Sequence, residues 1–200
     1  MKDETESMSK RISKEIQKGQ KPTVFAFIDA SNIIYGSARH GWKMDFEKLM
    51  TYLRNRFLVQ RVFYYAGLDK SNKKQIAFYK KIEQFGYEMR LVPVKRFKDG
   101  SKKADVDSRL TFEAMRDIDN YSSAVFMTGD GDYYWLFAHL LAKKKWGIRL
   151  IAHSKSTARE LKQLFGGHFT DLSRLRNELE RKTNKKAVDA KLGSTARIMR

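Results

Sequence analysis

The chain has 200 residues, enough for one domain with a real core and too few for two of ordinary size. With 41 Lys and Arg against 23 Asp and Glu, its formal charge is +18, which favours polyanions as partners, nucleic acid ahead of an anionic membrane surface. It has no cysteine, which excludes disulfides and thiolate metal sites, and no apolar run near the ~20 residues that span a bilayer.

Met1 to Lys21 mixes acids and bases without an apolar core, so it is a polar arm and not a secretory leader. After Pro22, Thr23 to Ile28 is apolar throughout and predicts a first strand that ends in Asp29-Ala30-Ser31-Asn32. A loop containing Gly36 and Gly41 is expected next. Asp45 then caps a helix to about Phe57, with Phe46, Leu49, Met50, Leu53 and Phe57 on one face. Val59 to Ala66 predicts a second strand. Asp69 or Ser71 opens a basic helix that runs to about Phe85 and stops at Gly86. Tyr87 to Val94 predicts a third strand, with Pro93 marking an edge or terminal position.

Lys95 to Lys103 reads as a basic loop, followed by a helix from Ala104 to about Arg116. Ala124 to Met127 predicts a strand buried on both faces, left through the sharp turn Thr128-Gly129-Asp130-Gly131-Asp132. A helix to Lys145 follows, then a fifth strand, Ile148 to Ala152. Ser156 to Phe165 reads as helix, Phe169 to Leu172 as a short edge strand, and Ser173 to about Lys182 as a last helix. From Thr183 the chain is basic, lacks apolar periodicity and predicts a disordered tail. Strands alternating with helices of about ten to sixteen residues specify an α/β domain over residues 22–182, with right-handed crossovers and a mostly parallel sheet covered on both faces.

Four carboxylates stand at comparable places. Asp29 ends the first strand, Asp130 and Asp132 follow the fourth, and Asp105 begins the helix before it. If strands one and four are neighbours at the switch point, these acids meet in one crevice. Clustered carboxylates repel unless a cation sits among them, and oxygen-only ligands favour a hard ion, Mg²⁺ or Mn²⁺. Such an ion in so basic a protein points to phosphodiester chemistry. Asp105 and Asp107 are two apart and face different sides, so one reaches the site; Asp105, in the first turn, is the expected one. Glu113, about 12 Å further along the helix, is expected to pair with Arg109 or to face a neighbouring element.

The blocks Phe27-Ile28-Asp29-Ala30-Ser31-Asn32, Lys102-Lys103-Ala104-Asp105-Val106-Asp107 and Thr128-Gly129-Asp130-Gly131-Asp132-Tyr133 resemble the three signature blocks of the NYN family, part of the PIN-like nuclease superfamily. Phe169-Thr170-Asp171-Leu172 resembles a later strand found in many members. The resemblance runs from about Thr23 to Leu175 and departs at Ala30-Ser31 and at Lys103, where many members carry Gly or Asn and Gly respectively. It implies a Rossmann-like three-layer α/β/α sandwich and a metal-dependent nuclease, most often one acting on RNA. Asp29, Asp105, Asp130 and Asp132 would then hold Mg²⁺ or Mn²⁺, with Asn32 beside the metal or the scissile phosphate. Hydrolysis would leave a 3′-hydroxyl and a 5′-phosphate.

Blander roles compete. Asp29, Ser31 and Asp132 suit caps, Asn32 suits a turn, and Asp171 suits a cap for the final helix. Lys95, Arg96, Lys98, Lys102 and Lys103 lead directly into Asp105 and are the expected phosphate contacts. Tyr35, Trp42 and Phe97 are candidate stacking partners for bases or partly buried anchors. His153, just past the fifth strand, is either a substrate contact or a loop histidine. The expected protein is soluble, cytoplasmic and nucleic-acid-binding, with RNA favoured; a non-catalytic binding module and a DNA nuclease are the alternatives.

Overall fold

A computed structural model describes residues 22–144 and 147–182. The polar arm (1–21), the basic tail (183–200) and the expected helix end at Lys145 lie outside the described residues. Eight strands form among the described residues: β1 Val24–Asp29, β2 Arg61–Leu68, β3 Glu88–Pro93, β4 Lys95–Arg96, β5 Lys102–Lys103, β6 Ser123–Met127, β7 Ile148–Ala152 and β8 Phe169–Asp171. Six of them make one sheet in the order β3-β2-β1-β6-β7-β8, with every neighbouring pair parallel.

Every residue of β1 is buried, as its apolar run requires for a strand covered on both sides. Its alternating side chains feed two cores. Val24, Ala26 and Ile28 join helices 30–39, 46–57, 73–84 and 176–179 on one face. Phe25 and Phe27 join helices 106–116, 134–144 and 159–165 on the other. Register aligns Phe27 with Phe63 and Phe126, whose rings stand 5.3 and 4.8 Å from it. The result is the expected three-layer α/β/α sandwich. No helix among the described residues is long and apolar enough to cross a membrane.

Glu113 is buried on helix 106–116 and pairs with Arg109 as expected, at 2.8 Å. It also accepts hydrogen bonds from Tyr65 on β2 and Arg90 on β3. A buried carboxylate needs such partners, and here they fasten the helix to both strands.

Several local expectations are corrected. Residues 30–39 are helix and not loop, because Asp29 caps the segment by accepting from the Asn32 N–H. Helix 73–84 is capped by Asn72, since Asp69 is engaged by Arg96 and Ser71. The basic loop contains a short antiparallel hairpin, β4 with β5. The helix before Phe165 starts only at Arg159, and the last helix shrinks to a 3₁₀ turn at Leu172–Leu175 and one α turn at Arg176–Leu179.

Gly36 lies inside helix 30–39 for a packing reason. A Cβ there would stand 2.8 Å from Cδ2 of His153, whose buried ring is held by the Ser37 and Ser173 hydroxyls. In an open helix, Gly to Ala stabilises by about 0.5–1 kcal/mol. Here the gain is outweighed by overpacking, which typically costs ~1–3 kcal/mol. Gly36→Ala is therefore expected to lower Tm in a thermal melt; a rise would show that the ring swings aside freely.

Candidate functional site

The chain runs outward from β1 through β2 to β3, then returns to place β6 on the other side of β1. The two central strands thus end side by side, Ile28 opposite Met127, and their exits diverge into a crevice. Asp29 closes β1 in a buried position. Its Oδ1 accepts from the Ser31 hydroxyl at 2.7 Å and the Asn32 N–H at 3.2 Å, and the Thr128 hydroxyl donates to its Oδ2 at 3.4 Å. The Asn32 side-chain oxygen accepts from the Gly129 N–H at 2.8 Å, joining the exit of β1 to that of β6. Thr128 Oγ1 accepts from the Asp130 N–H, and Asp130 Oδ1 from the Asp132 N–H. The turn is held before any ligand arrives.

Asp107, Asp130 and Asp132 each offer a carboxylate oxygen to one spot, all within 4.8 Å of one another. The Tyr133 hydroxyl, on a buried ring, donates to Asp107 at 2.9 Å and fixes its direction. Asp29, Asn32, Asp107 and Asp130 line one cleft of about 610 Å³. Burial raises the pKa of Asp29, and the nearby Asp107 and Asp130 add to the rise. Asp107 is likewise raised, by burial first and then by Asp130, Asp132 and Asp105. Carboxylates so close repel, and a cation among them reverses that cost. The donors are all oxygen, which suits a hard divalent ion such as Mg²⁺ or Mn²⁺.

Asp105, the acid expected in the crevice, is not among the residues that line it, whereas Asp107 is. Helix 106–116 begins at Val106, leaving Asp105 just outside it and solvent-exposed. There the Ser108 hydroxyl, with Lys103 and Lys95, holds its carboxyl below the ordinary value. Val106 and Leu110, four apart, bind the helix to the core and set the angle from which Asp107 reaches inward. Buried Tyr133, whose hydroxyl needs a partner, was the available signal for Asp107.

The basic residues divide. Lys95 lies opposite Lys103, and Arg96 opposite Lys102, in the β4–β5 ladder. Like charges directly opposite are unfavourable, and an anion relieves them. Arg96 is spoken for by Asp69 at 2.9 Å and Ser71 at 2.7 Å, so it tethers the hairpin. Phe97 and Lys98 are exposed towards the hairpin tip. Tyr35 is 62% exposed on the cleft wall, whereas Trp42 is core at 4%, packed edge-on to His153. His153 is buried with its pKa pushed down to about 4 by burial, which removes it from substrate contact.

Similarity to known proteins agrees with this architecture. Residues 23–173 match the NYN domain. Low amplitude and bright protein LabA from Synechococcus elongatus is 28% identical over 163 residues, covering 78% of this chain and 86% of that protein. The crystal structure of a protein of unknown function from Vibrio parahaemolyticus superposes with a TM-score of 0.67 at 19% identity, over 80% of this chain and 96% of that one. At that identity it speaks to the fold alone.

Raised carboxyl pKa values cost folded stability once pH climbs past the unfolded value of about 3.9. In chelator at pH 7, Asp107→Asn is expected to raise Tm by roughly 2 °C, the size of shift that ~0.5–1 kcal/mol produces in a chain of this length. The gain should fade as pH falls through the folded value and vanish well below about 3.9, where both states are protonated. Adding Mn²⁺ should raise the Tm of the wild type and of Asp105→Asn but not of Asp130→Asn. An unchanged wild-type Tm across millimolar Mn²⁺ would remove the metal assignment.

Proposed function

The chain belongs to the NYN domain family, and on that premise we propose that it is a divalent-metal-dependent nuclease, an endoribonuclease cutting RNA in the cleft beside β1 and β6. The family is nuclease-like and acts on nucleic acid. The observation that carries the reading is the meeting of Asp107, Asp130 and Asp132 at one point, in a chain of formal charge +18. These three residues would hold Mg²⁺ or Mn²⁺. The bound ion supplies charge neutralisation at the phosphate and a nucleophile competent at neutral pH.

The chain's own residues do the rest. Asp29, buried and adjacent, presents a further carboxylate to the same cleft, positioned by Ser31 and Thr128. Asn32 spends its side-chain oxygen on Gly129, leaving its amide nitrogen as a donor towards the cleft, where it suits a phosphate oxygen. Tyr133 keeps Asp107 aimed at the other acids. Lys95, Lys98, Lys102 and Lys103 draw the phosphates of the substrate to the rim, and Arg96 holds their hairpin against Asp69. Water attacks phosphorus in line, the P–O3′ or P–O5′ bond opposite breaks, and the leaving oxygen takes a proton. The polarity implied by the resemblance, a 3′-hydroxyl and a 5′-phosphate, corresponds to loss of the O3′ atom from phosphorus.

Cleavage of labelled single-stranded RNA with added Mn²⁺ tests this. Asp107→Asn and Asp130→Asn are expected to slow it by ~10²-fold or more, equivalent to about 2.7 kcal/mol of barrier, with Asp105→Asn within roughly threefold of wild type. An inactive Asp105→Asn beside an active Asp107→Asn would overturn the ligand set. Tight RNA binding without any cleavage would leave a non-catalytic binding module, and faster cleavage of a matched DNA strand would assign a DNA nuclease.

A further inference from the structure

The cleft described above does not end at Asp130. A second concavity of about 340 Å³ lies beyond it, bounded by Gly129, Gly131, Ser156 and Ala158. The residues common to both linings are Asn32, Arg39 and Asp130. Asp130 therefore stands on the divide between the two hollows. Their walls differ in kind. The larger carries the aromatic side chains Tyr35 and Phe78, both exposed, and suits bases. Among the described residues the smaller has no aromatic lining, and apart from the three shared residues its wall is glycine, Ser156 and Ala158, which suits sugar and phosphate.

Arg39 is the cation on the divide. It lies in the last turn of helix 30–39, exposed, and no carboxylate among the described residues pairs with it. Tyr35 precedes it by one turn, so both side chains leave the same helix face about 6 Å apart along the axis. The Glu160 carboxylate stands beside Gly131, a lining residue of the small hollow, where a Cβ would lie 2.7 Å from its Oε1. That negative charge disfavours a phosphate on its own side and directs one towards Arg39.

We propose that an unpaired nucleic-acid strand crosses Asp130 from the large hollow to the small one, with a base on Tyr35 before the divide and the following phosphate gripped by Arg39 beyond it. This rests on the reading of the cleft as a nucleic-acid site and adds the path of the strand through it. Arg39 is a positioning residue: it holds a phosphate next to the one under attack and so fixes which bond lies over the acids.

The test is equilibrium binding of a labelled oligouridylate of about 12 nucleotides to the full chain in chelator, across a salt series. Arg39→Gln is expected to weaken binding by about 5–20-fold and to reduce the slope of log K against log salt by ~0.7, one phosphate contact on a single strand. Arg39→Lys should restore the slope, and Tyr35→Phe should keep the affinity that Tyr35→Ala loses. Lys143→Gln is the charge-matched control. Lys143 is exposed about 14 Å along helix 134–144 from its start and should leave the slope unchanged. Equal effects of Arg39→Gln and Lys143→Gln would overturn the path, because the field of the whole protein would then explain both. A wild type that binds no oligonucleotide overturns the underlying nucleic-acid reading as well, whereas wild-type binding that Arg39→Gln leaves intact overturns the path alone.

Discussion

The hydrogen bond from the Gly129 N–H to the Asn32 side chain, 2.8 Å long, joins residues ninety-seven apart in sequence and closes the gap between the two central strands. Parallel pairing of β1 with β6 brings their ends together, but pairing alone leaves each exit free to turn its own way. Asn32 removes that freedom. Asp29 then sits at a fixed distance from the β6 turn, and Thr128 spans it, donating to Asp29 and accepting from Asp130. The geometry of Asp29 and Asp130 thus follows from hydrogen bonds made by the neutral side chains of Asn32 and Thr128. That is how a group of like charges is kept in place despite its repulsion.

The electrostatics has two scales. Over the whole chain the charge is +18, a field that gathers polyanions without regard to sequence. Inside the cleft the sign inverts, with Asp29, Asp107 and Asp130 lining one hollow. A phosphate drawn by the first field would meet repulsion at these acids, which a divalent cation among them would relieve. The opposed lysines of the β4–β5 hairpin express the same logic in reverse, cations held close enough to favour an anion between them.

Much of this was legible in the residues. Continuous apolar runs gave the strands, and glycines after them gave the exits, because burial on both faces leaves no other pattern. The resemblance located the acidic turns. What the sequence could not resolve was direction within a turn. Asp105 and Asp107 differ by a rotation that depends on where the helix begins, and only the packing of Val106 and Leu110 decides it. Gly36 looked like a loop residue because its reason for being glycine, the ring of His153, lies more than a hundred residues away. The surroundings of Trp42 and Arg96 were hidden from the sequence in the same manner. An aromatic or a cation near a crevice is available to substrate only if the fold has not already claimed it, and here His153 and Asp69 had.

The Glu113 cluster has a wider reach than its depth in the core suggests. Asp107 and Glu113 ride on one helix, about 9 Å apart along its axis, and Glu113 is clasped by Arg90 from the outermost strand of the sheet. The rim of the molecule and its acidic centre are therefore parts of one lever, with the helix as the arm. Damage to the sheet margin, by substitution, by proteolysis or by a neighbour that pries β3 loose, would be felt first as a misaimed carboxylate. Lesions far from the cleft would then pass for lesions within it.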